Sequence, residues 1–240
     1  MIGMIPRSKQ SGQAMVEMVI ISFVTLLLLF GIIQFALLYN AKTILNYATY
    51  EAARIGALNY SHPESMRLAL AQKLAILEPV SSLETESDYE KLINQREHFL
   101  GTFDSVACIK RLNPPNDAGG HWNELHKTPQ SQRGIANDHL LYRDPVAKGA
   151  AVQSIQDANL LKISVTYCAK MMVPIVSQVV KKFMLSGAHN LALFNKQCYQ
   201  ANRFPMVAHA MMRMQTPVGK YGYKNSDCEN ITSLSSQLGG

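Results

Sequence analysis

The most regular pattern in the sequence is a long apolar run followed by a one-sided one. Residues 19–38 are almost all apolar, and a helix of this length spans about 30 Å, the thickness of a hydrocarbon core. After this run the apolar residues recur at helical spacing, at Ala41, Ile44, Leu45, Ala48, Ala52 and Ile55. The other side of the same stretch carries Lys42, Thr43, Asn46, Thr49 and Arg54. The pattern predicts one helix over residues 13–58, transmembrane over 19–38 and amphipathic over 39–58.

Helical spacing returns directly after this helix. Ser61 and Glu64 have the spacing of a capping box, and Pro63 suits a first helical turn. The apolar face that follows consists of Met66, Leu70, Leu74 and Leu77. The Glu78-Pro79 pair is expected to end this second helix. A further helix is expected over residues 173–186.

Period-two alternation predicts strands farther along the chain. The clearest strand is 160–168, where the apolar positions are Leu161, Ile163, Val165 and Tyr167. Residues 103–112 and 204–214 give two more strands. The region 113–149 is rich in turn-forming residues and is expected to consist of loops. Helices and strands together predict an α+β fold with a small antiparallel sheet.

The pattern divides the chain into four segments. They are a polar leader (1–12), the long helix (13–58), a globular head (59–224) and a mostly flexible polar tail (225–240). Arg7 and Lys9 in the leader favour a cytoplasmic N-terminus. The apolar run is too long for a signal-peptide core, and no small-x-small cleavage site follows it. We therefore expect a single membrane pass with the head outside the cytoplasm.

Charge and short motifs argue against nucleic acid and against catalysis. The net charge is +6, but the basic residues are scattered and form no stripe of the kind that binds nucleic acid. The acidic stretch 84–90 has the character of a solvated face. The sequence has no G-x-S-x-G, no glycine-rich phosphate loop and no dinucleotide fingerprint. We therefore expect no specific nucleic-acid binding, no enzymatic activity and no cofactor.

Glu17 is the one charged residue of the apolar segment. A carboxylate there costs up to ~2.5–3.5 kcal/mol at the centre of a membrane helix and less near the interface, so it commonly marks function. The alternative is a solvated carboxylate at the helix start, where the macrodipole favours it. Gly12, five residues earlier and behind a basic leader, favours the functional interpretation.

These residues resemble a known family. Gly12-Gln13-Ala14-Met15-Val16-Glu17 matches the recognition pattern of prepilin peptidases. The wider stretch 11–58 is similar to the N-terminal region of TadE-like proteins, which are minor pilins or pseudopilins of the tight-adherence (type IVc, Flp) pilus system. Met18 departs from the family, in which Phe or Tyr often follows the glutamate.

The resemblance implies a function for this segment. A prepilin peptidase would cleave after Gly12, Gln13 would become the mature N-terminus, and Glu17 would neutralise an N-terminal amine when helices pack together. The protein would then lie in the bacterial inner membrane with a pilin-like head in the periplasm. Its partners would be other Tad pilin and pseudopilin subunits, in a pilus used for adhesion, biofilm formation or DNA uptake. The alternative is a single-pass anchored periplasmic binding or sensory module, with an uncleaved leader.

The four cysteines, Cys108, Cys168, Cys198 and Cys228, all follow the apolar helix. None has C-x-x-C spacing, so neither a zinc site nor a redox pair is favoured. An even count beyond a membrane span is typical of two disulfides in an oxidising compartment, with buried free thiols as the alternative. Three connectivities are open. An antiparallel return of strand 204–214 would bring Cys198 beside Cys168, so we favour Cys168–Cys198 and Cys108–Cys228.

Three histidines, His121, His126 and His139, share the 113–149 region with Asp117 and Glu124. Together they could hold a surface metal ion, but loops often carry such residues without function. No two histidines of the chain have the i, i+4 spacing of a helical zinc pair. The sequence therefore predicts no metal site.

Overall fold

The computed structural model describes residues 11–78, 88–115, 126–127, 133–147, 152–187 and 192–221. The helices of this part are α1 (Ser11–Leu58), α2 (Pro63–Leu74), α3 (Asp88–Val106), α4 (Ile155–Ala158), α5 (Pro174–Ser186) and α6 (Leu193–Gln200). Two short 3₁₀ helices cover Ala75–Leu77 and Leu140–Tyr142. The strands are β1 (Ala107–Asn113), β2 (His126–Lys127), β3 (Arg133–Ile135), β4 (Leu160–Lys170), β5 (Arg203–Arg213) and β6 (Val218–Gly219).

Two small antiparallel sheets form the β part of the head. The larger has the strand order β1-β4-β5, with Ile109 opposite Val165 and Val165 opposite Ala208. The smaller has the order β2-β3-β6 and lies partly in the region that the sequence predicts as loops. The predicted α+β class with a small antiparallel sheet is confirmed. The tail 225–240 lies outside the described residues.

The central strand β4 forms where the alternation is clearest. Its apolar positions Leu161, Ile163, Val165 and Tyr167 are all fully buried. One face of the sheet packs against α1, which contacts both β4 and β5. Because the strand has one buried face and one partly covered face, period-two alternation identifies it correctly.

The predicted strand over 103–112 is wrong in its first part. Residues up to Val106 belong to α3, and the strand begins at Ala107. Phe99, Phe103 and Val106 are spaced at i, i+4 and i+7, and all three are buried, so they form the inner face of a helix. This helical face overlaps the alternating residues of β1, which is why the alternation alone extended the strand too far. The sequence analysis predicted neither α3 nor α6.

The predicted capping box at Ser61 and Glu64 does not form. The helix α2 begins at Pro63 with His62 as its N-cap and no capping side chain. Ser61 instead has φ 60° and donates its N–H to the carbonyl of Gly56 at 2.8 Å. This six-residue closure is the bond of a Schellman motif, so Ser61 closes α1 rather than opening α2. An N-cap residue needs an extended conformation, which Ser61 does not have.

The core lies between α1, α2 and the three-stranded sheet. Buried residues of α1 here include Leu45, Ala48, Ala52, Ala53 and Ala57. Thr49 was placed on the polar side from the sequence, yet it is fully buried. Its hydroxyl donates to the carbonyl of Leu45 at 2.7 Å, so the buried oxygen is satisfied within the helix. The buried face of α1 is therefore wider than the apolar spacing predicts.

Candidate functional site on the N-terminal helix

The helix α1 has two halves with different surroundings. In the bare half, residues 15–33, every side chain from Met15 to Leu29 is exposed. In the packed half, residues 34–58, one face is buried against the head. The bare half extends about 28 Å at 1.5 Å per residue. By length and composition, α1 is apolar enough to cross a membrane.

Glu17 lies on the bare half among exposed apolar side chains. Its neighbours Val16 and Met18 are 62% and 68% exposed. No residue of the described ranges forms a hydrogen bond or ion pair with it. Because the backbone is already helical from Ser11 onward, Glu17 lies beyond the first turn, where the macrodipole has little effect. The structure therefore does not favour a carboxylate held in place by the helix start.

The other polar residues of the bare half need no partner. The hydroxyl of Ser22 donates to the carbonyl of Val19 at 3.0 Å, and that of Thr25 to the carbonyl of Ile21 at 2.8 Å. Both side chains are satisfied within their own helix, as is common for Ser and Thr in apolar helices. Glu17 is thus the one polar group of this half for which α1 itself supplies no partner.

The backbones of Gly12 and Gln13 are helical and belong to α1. Gln13 precedes Glu17 by four residues, so the two lie one turn apart on the same helix face, about 6 Å along the axis. A mature N-terminal amine at Gln13 would therefore be within reach of the Glu17 carboxylate of the same chain. Whether cleavage occurs at Gly12 stays a prediction.

The packed half begins at Gln34, within the span predicted to be transmembrane. Gln34 is 3% exposed, and its Oε1 accepts a hydrogen bond from the N–H of Val173 at 2.9 Å. Val173 is the N-cap of α5. The head therefore contacts α1 inside the residues 19–38, four residues before their end. The sequence pattern did not predict this contact.

Small residues allow the packed half to approach the head closely. A Cβ added at Gly56 would lie 2.5 Å from Sδ of Met66 and 2.9 Å from Cδ2 of Leu161, and real side chains do not tolerate such distances. A Cβ at Gly31, in the bare half, would meet nothing within 4 Å. The two glycines of one helix therefore have different roles, and only Gly56 is required for packing.

A buried ion pair joins Glu78, directly after the 3₁₀ helix that follows α2, to the sheet, and sequence reasoning missed it. The guanidinium of Arg203 binds both carboxylate oxygens of Glu78, at 3.2 Å for Nη2 to Oε2, and donates to the carbonyl of Cys168 at 3.0 Å. The side chains of Arg203 and Glu78 are 8% and 17% exposed. The hydroxyl of Tyr167 donates to Glu78 at 3.0 Å. Burial, followed by the nearby Glu78 charge, raises the pKa of Tyr167 well above its usual value.

In this cluster the guanidinium of Arg203 and the hydroxyl of Tyr167 both donate hydrogen bonds to the carboxylate of Glu78. A bidentate guanidinium–carboxylate pair is the strong form of such contacts. The sequence carries no signal for it, because 125 positions separate the two partners. We interpret the cluster as a structural contact that stabilises the head, since it joins the segment after α2 to the strands β4 and β5.

A disulfide joins Cys168 at the end of β4 to Cys198 in α6. This is the pair expected from the antiparallel return, and Cys168 lies opposite Pro205 in the sheet. Cys168, Cys198 and Phe194 form a small second core together with Cys108. Cys108 is disulfide-bonded as well. Its expected partner, Cys228, lies outside the described residues.

The histidines considered for a metal site are only partly described. His121, Asp117 and Glu124 lie outside the described residues, and His126 is described by its backbone in β2. His139 has φ 49° and precedes a short 3₁₀ helix. Within the described part of the chain, no group of three His, Cys, Asp or Glu side chains could hold a metal ion.

Comparison with known proteins concerns the same helix. Residues 12–54 match the family model described as TadE-like protein. The chain carries a TadE-like N-terminal segment. The match covers less than one fifth of the 240 residues, and it includes Gly12, Glu17 and most of the packed half. The resemblance stated from the sequence is confirmed. No curated protein and no solved structure matches the chain.

The TadE-like segment ends close to the C-terminus of α1. It ends at Arg54, four residues before the C-terminus of α1. The matched residues therefore include both halves of the helix and almost none of the head.

Proposed function

We propose that this protein is a minor pilin or pseudopilin that takes part in assembly of a Tad (type IVc) pilus. The observation that carries the proposal is Glu17, a carboxylate without a partner among the described residues, on the exposed apolar half of a TadE-like helix. An unpaired charge in an apolar environment is costly, so such a residue usually meets its partner in an assembled state.

An N-terminal amine is the partner that fits Glu17. Cleavage after Gly12 places this amine on Gln13, one turn away on the same helix. At 4 Å the attraction between the two charges is about 4 kcal/mol at an effective dielectric constant of 20. A neighbouring helix in a bundle can supply the same amine. Pairing of Glu17 therefore depends on cleavage after Gly12, which creates the amine. Pairing with the amine of a neighbour would also favour one axial offset between adjacent subunits.

The two halves of α1 suit this role. The bare half offers about 28 Å of apolar surface to lipid before assembly and to other helices afterwards. The packed half holds the head rigidly on the same helix, because α1 contacts α2, β4 and β5. The protein would be anchored in the bacterial inner membrane with its head in the periplasm, where the disulfides form. Pili of this kind serve adhesion, biofilm formation or DNA uptake.

The proposal gives the protein a structural role and no enzymatic one. Its partners are the prepilin peptidase and other pilin and pseudopilin subunits. The competing function is a fixed single-pass anchor for a binding or sensory head, in which the leader is retained.

N-terminal sequencing of the protein purified from membranes tests the proposal. We expect a mature start at Gln13 in the native protein. The variant Gly12→Ala should retain its leader, whereas Gly31→Ala, at a glycine of the same helix where an added Cβ meets nothing within 4 Å, should be cleaved normally. A retained leader in cells with an active prepilin peptidase would contradict processing and favour the fixed anchor.

A further inference from the structure

The helix α5 exposes an apolar stripe. Ile175, Val179 and Phe183 are spaced at i, i+4 and i+8 and are 52%, 56% and 75% exposed. Met172, just before the helix, is 57% exposed. In the described ranges no side chain covers this stripe. One apolar face of α5 packs against the protein, and a second apolar face points outward. The outward face needs an apolar environment of its own.

The position of α5 along α1 identifies that environment. The N-cap residue of α5, Val173, is hydrogen-bonded to Gln34. Gln34 lies four residues, about 6 Å along the helix, inside the 19–38 span. If α1 crosses a membrane over that span, α5 begins below the surface of the hydrocarbon core. The first turn of α5, which includes Ile175 of the stripe, then lies at the depth of lipid rather than water.

A groove of about 480 Å³ separates α5 from α1. On α1 it is lined by Gly31, Gln34, Phe35, Leu38, Tyr39 and Lys42, which share one helix face. From Gly31 to Lys42 the groove is about 16 Å long and changes from apolar to cationic. Lys42 donates a hydrogen bond to the carbonyl of Val207 at the rim. Such a gradient matches a phospholipid, with its acyl chain toward Gly31 and its phosphate toward Lys42.

Two further observations fit this occupant. The Nε2 of Gln34 is buried and has no hydrogen-bond partner among the described residues, and a phospholipid ester is an acceptor that a bilayer can place near this depth. Lys182 lies on the same face of α5 as Ile175, seven residues on. Its long stem allows the ammonium to reach headgroup phosphates while the stripe is in lipid.

We propose that α5 and the adjoining groove form a lipid-binding surface in the leaflet on the head's side of the membrane. Ile175, Val179 and Phe183 lie among acyl chains, as the apolar face of an interfacial helix does. One phospholipid occupies the groove with its headgroup at Tyr39 and Lys42. The proposal rests on the membrane anchoring of α1 but not on pilus assembly.

Single-tryptophan reporters in the full chain test the stripe. The natural Trp122 is replaced by Phe, and tryptophan is introduced at Phe183 on α5. Phe23→Trp in the bare half reports the anchor. Tyr142→Trp is the matched control, because Tyr142 is 90% exposed and lies in the head. Each protein is reconstituted in vesicles of phosphatidylethanolamine and phosphatidylglycerol, with and without a phospholipid that carries a nitroxide near the start of one acyl chain.

We expect the nitroxide to remove more than half of the emission of Phe183→Trp and almost none of that of Tyr142→Trp. Quenching of Phe23→Trp without quenching of Phe183→Trp would overturn the lipid surface and leave the anchor intact. A blue-shifted but unquenched Phe183→Trp would also overturn it, because a protein would then cover the stripe. An unquenched Phe23→Trp would reject the membrane anchor itself.

A pair of variants tests the groove. Gly31→Phe would fill its apolar end, and its side chain can leave the helix without a clash because a Cβ at this position would meet nothing within 4 Å. Ile32→Phe is the control, since Ile32 is 71% exposed and does not line the groove. After purification in mild detergent, the phospholipid retained per chain is measured by mass spectrometry. We expect Gly31→Phe to lose most of it and Ile32→Phe to lose none. Equal retention in both, or none in the native protein, would overturn the groove site.

Discussion

The two halves of α1 differ in the size of the residues that face their surroundings. The bare half exposes large side chains such as Phe23, Leu28 and Ile32. The packed half buries mainly small ones, with Ala48, Ala52 and Gly56 in contact with the head. Small residues let another backbone come close, whereas large ones maximise apolar area toward lipid or toward loosely packed helices. One continuous helix therefore has one end adapted to its own head and the other to an environment outside the chain.

The two acidic residues Glu17 and Glu78 show the same difference. Glu78 is buried in the head and is fully paired by Arg203 and Tyr167. Glu17 has no partner within the described part of the chain. A fold that pairs one carboxylate so completely has not simply left the other unpaired by poor packing. The contrast supports the proposal that Glu17 meets its partner in an assembled state.

Substitutions of charged residues should give the largest difference in stability between the head and the bare half. Replacing Arg203 by Leu leaves Glu78 buried without its cation, and we expect a loss of about 3–5 kcal/mol in the free energy of unfolding. Glu17→Val should leave that free energy unchanged. Both are measured on the full chain in detergent by pulse proteolysis over a urea series.

Glu17→Val should instead act on assembly. Insertion and leader cleavage should stay near native levels, because the helix becomes more apolar, while pilus formation is strongly reduced. Pilus counts by electron microscopy give the readout, with Thr25→Val as the control on the same helix. Pili in native number would remove the proposed role of Glu17.

Leucine truncations sharpen the comparison of packing. Leu45 is fully buried and Leu28 is 61% exposed. Leu45→Ala should cost about 2–5 kcal/mol, through lost burial and the cavity left behind. Leu28→Ala should leave the stability of the head unchanged in detergent. Similar losses for both would mean that the bare half folds against the head after all.

The two glycines should give a smaller difference, with opposite signs. At Gly56 an added methyl would collide with Met66 and Leu161, so Gly56→Ala should cost about 1–3 kcal/mol after those side chains shift. Gly31→Ala meets nothing and should be neutral or add up to about 1 kcal/mol of helix stability. The urea midpoints of the two variants, compared with that of the native protein, measure both changes in stability. A neutral Gly56→Ala would show that the helix contact is looser than described.

The smallest effect concerns Tyr167 and alkaline pH. Its folded-state pKa is raised above the usual value near 10, so its contribution is complete below pH 10 and is lost as the pH rises above it. Tyr167→Phe should cost about 0.5–1.5 kcal/mol at neutral pH through the lost hydrogen bond. Above pH 10 the variant should lose stability less steeply than the native protein. Parallel curves for both proteins in this range would contradict the assigned burial.

Patterns of single elements were predictable from the sequence. The helix ends at Leu58 in both the prediction and the structure, because its apolar spacing is long and uninterrupted. The strand β4 was identified because its alternation is strict. Such patterns arise because one face of the element is buried. The apolar or polar character of each residue in one sequence is enough to show which face that is.

Contacts between distant elements were not predictable in this way. The pairing of Glu78 with Arg203 and the contact of Gln34 with Val173 span more than one hundred residues. Ser61 shows a second limit, because its sequence context fits a cap while its backbone closes the preceding helix. Where two local signals overlap, as at Phe103 and Val106, the tertiary packing decides.

The Cys168–Cys198 disulfide joins two cysteines that are 30 residues apart in the sequence. The loop that it closes includes α5. On a chain-entropy estimate, closing a loop of this length is worth roughly 3–4 kcal/mol. One end of the loop lies in β4 and the other in α6, which packs against β5, so the disulfide holds the loop to the sheet independently of the contacts of α5 with α1. The bond therefore acts as a tether between the sheet and the loop that carries α5, and reduction would remove this covalent restraint.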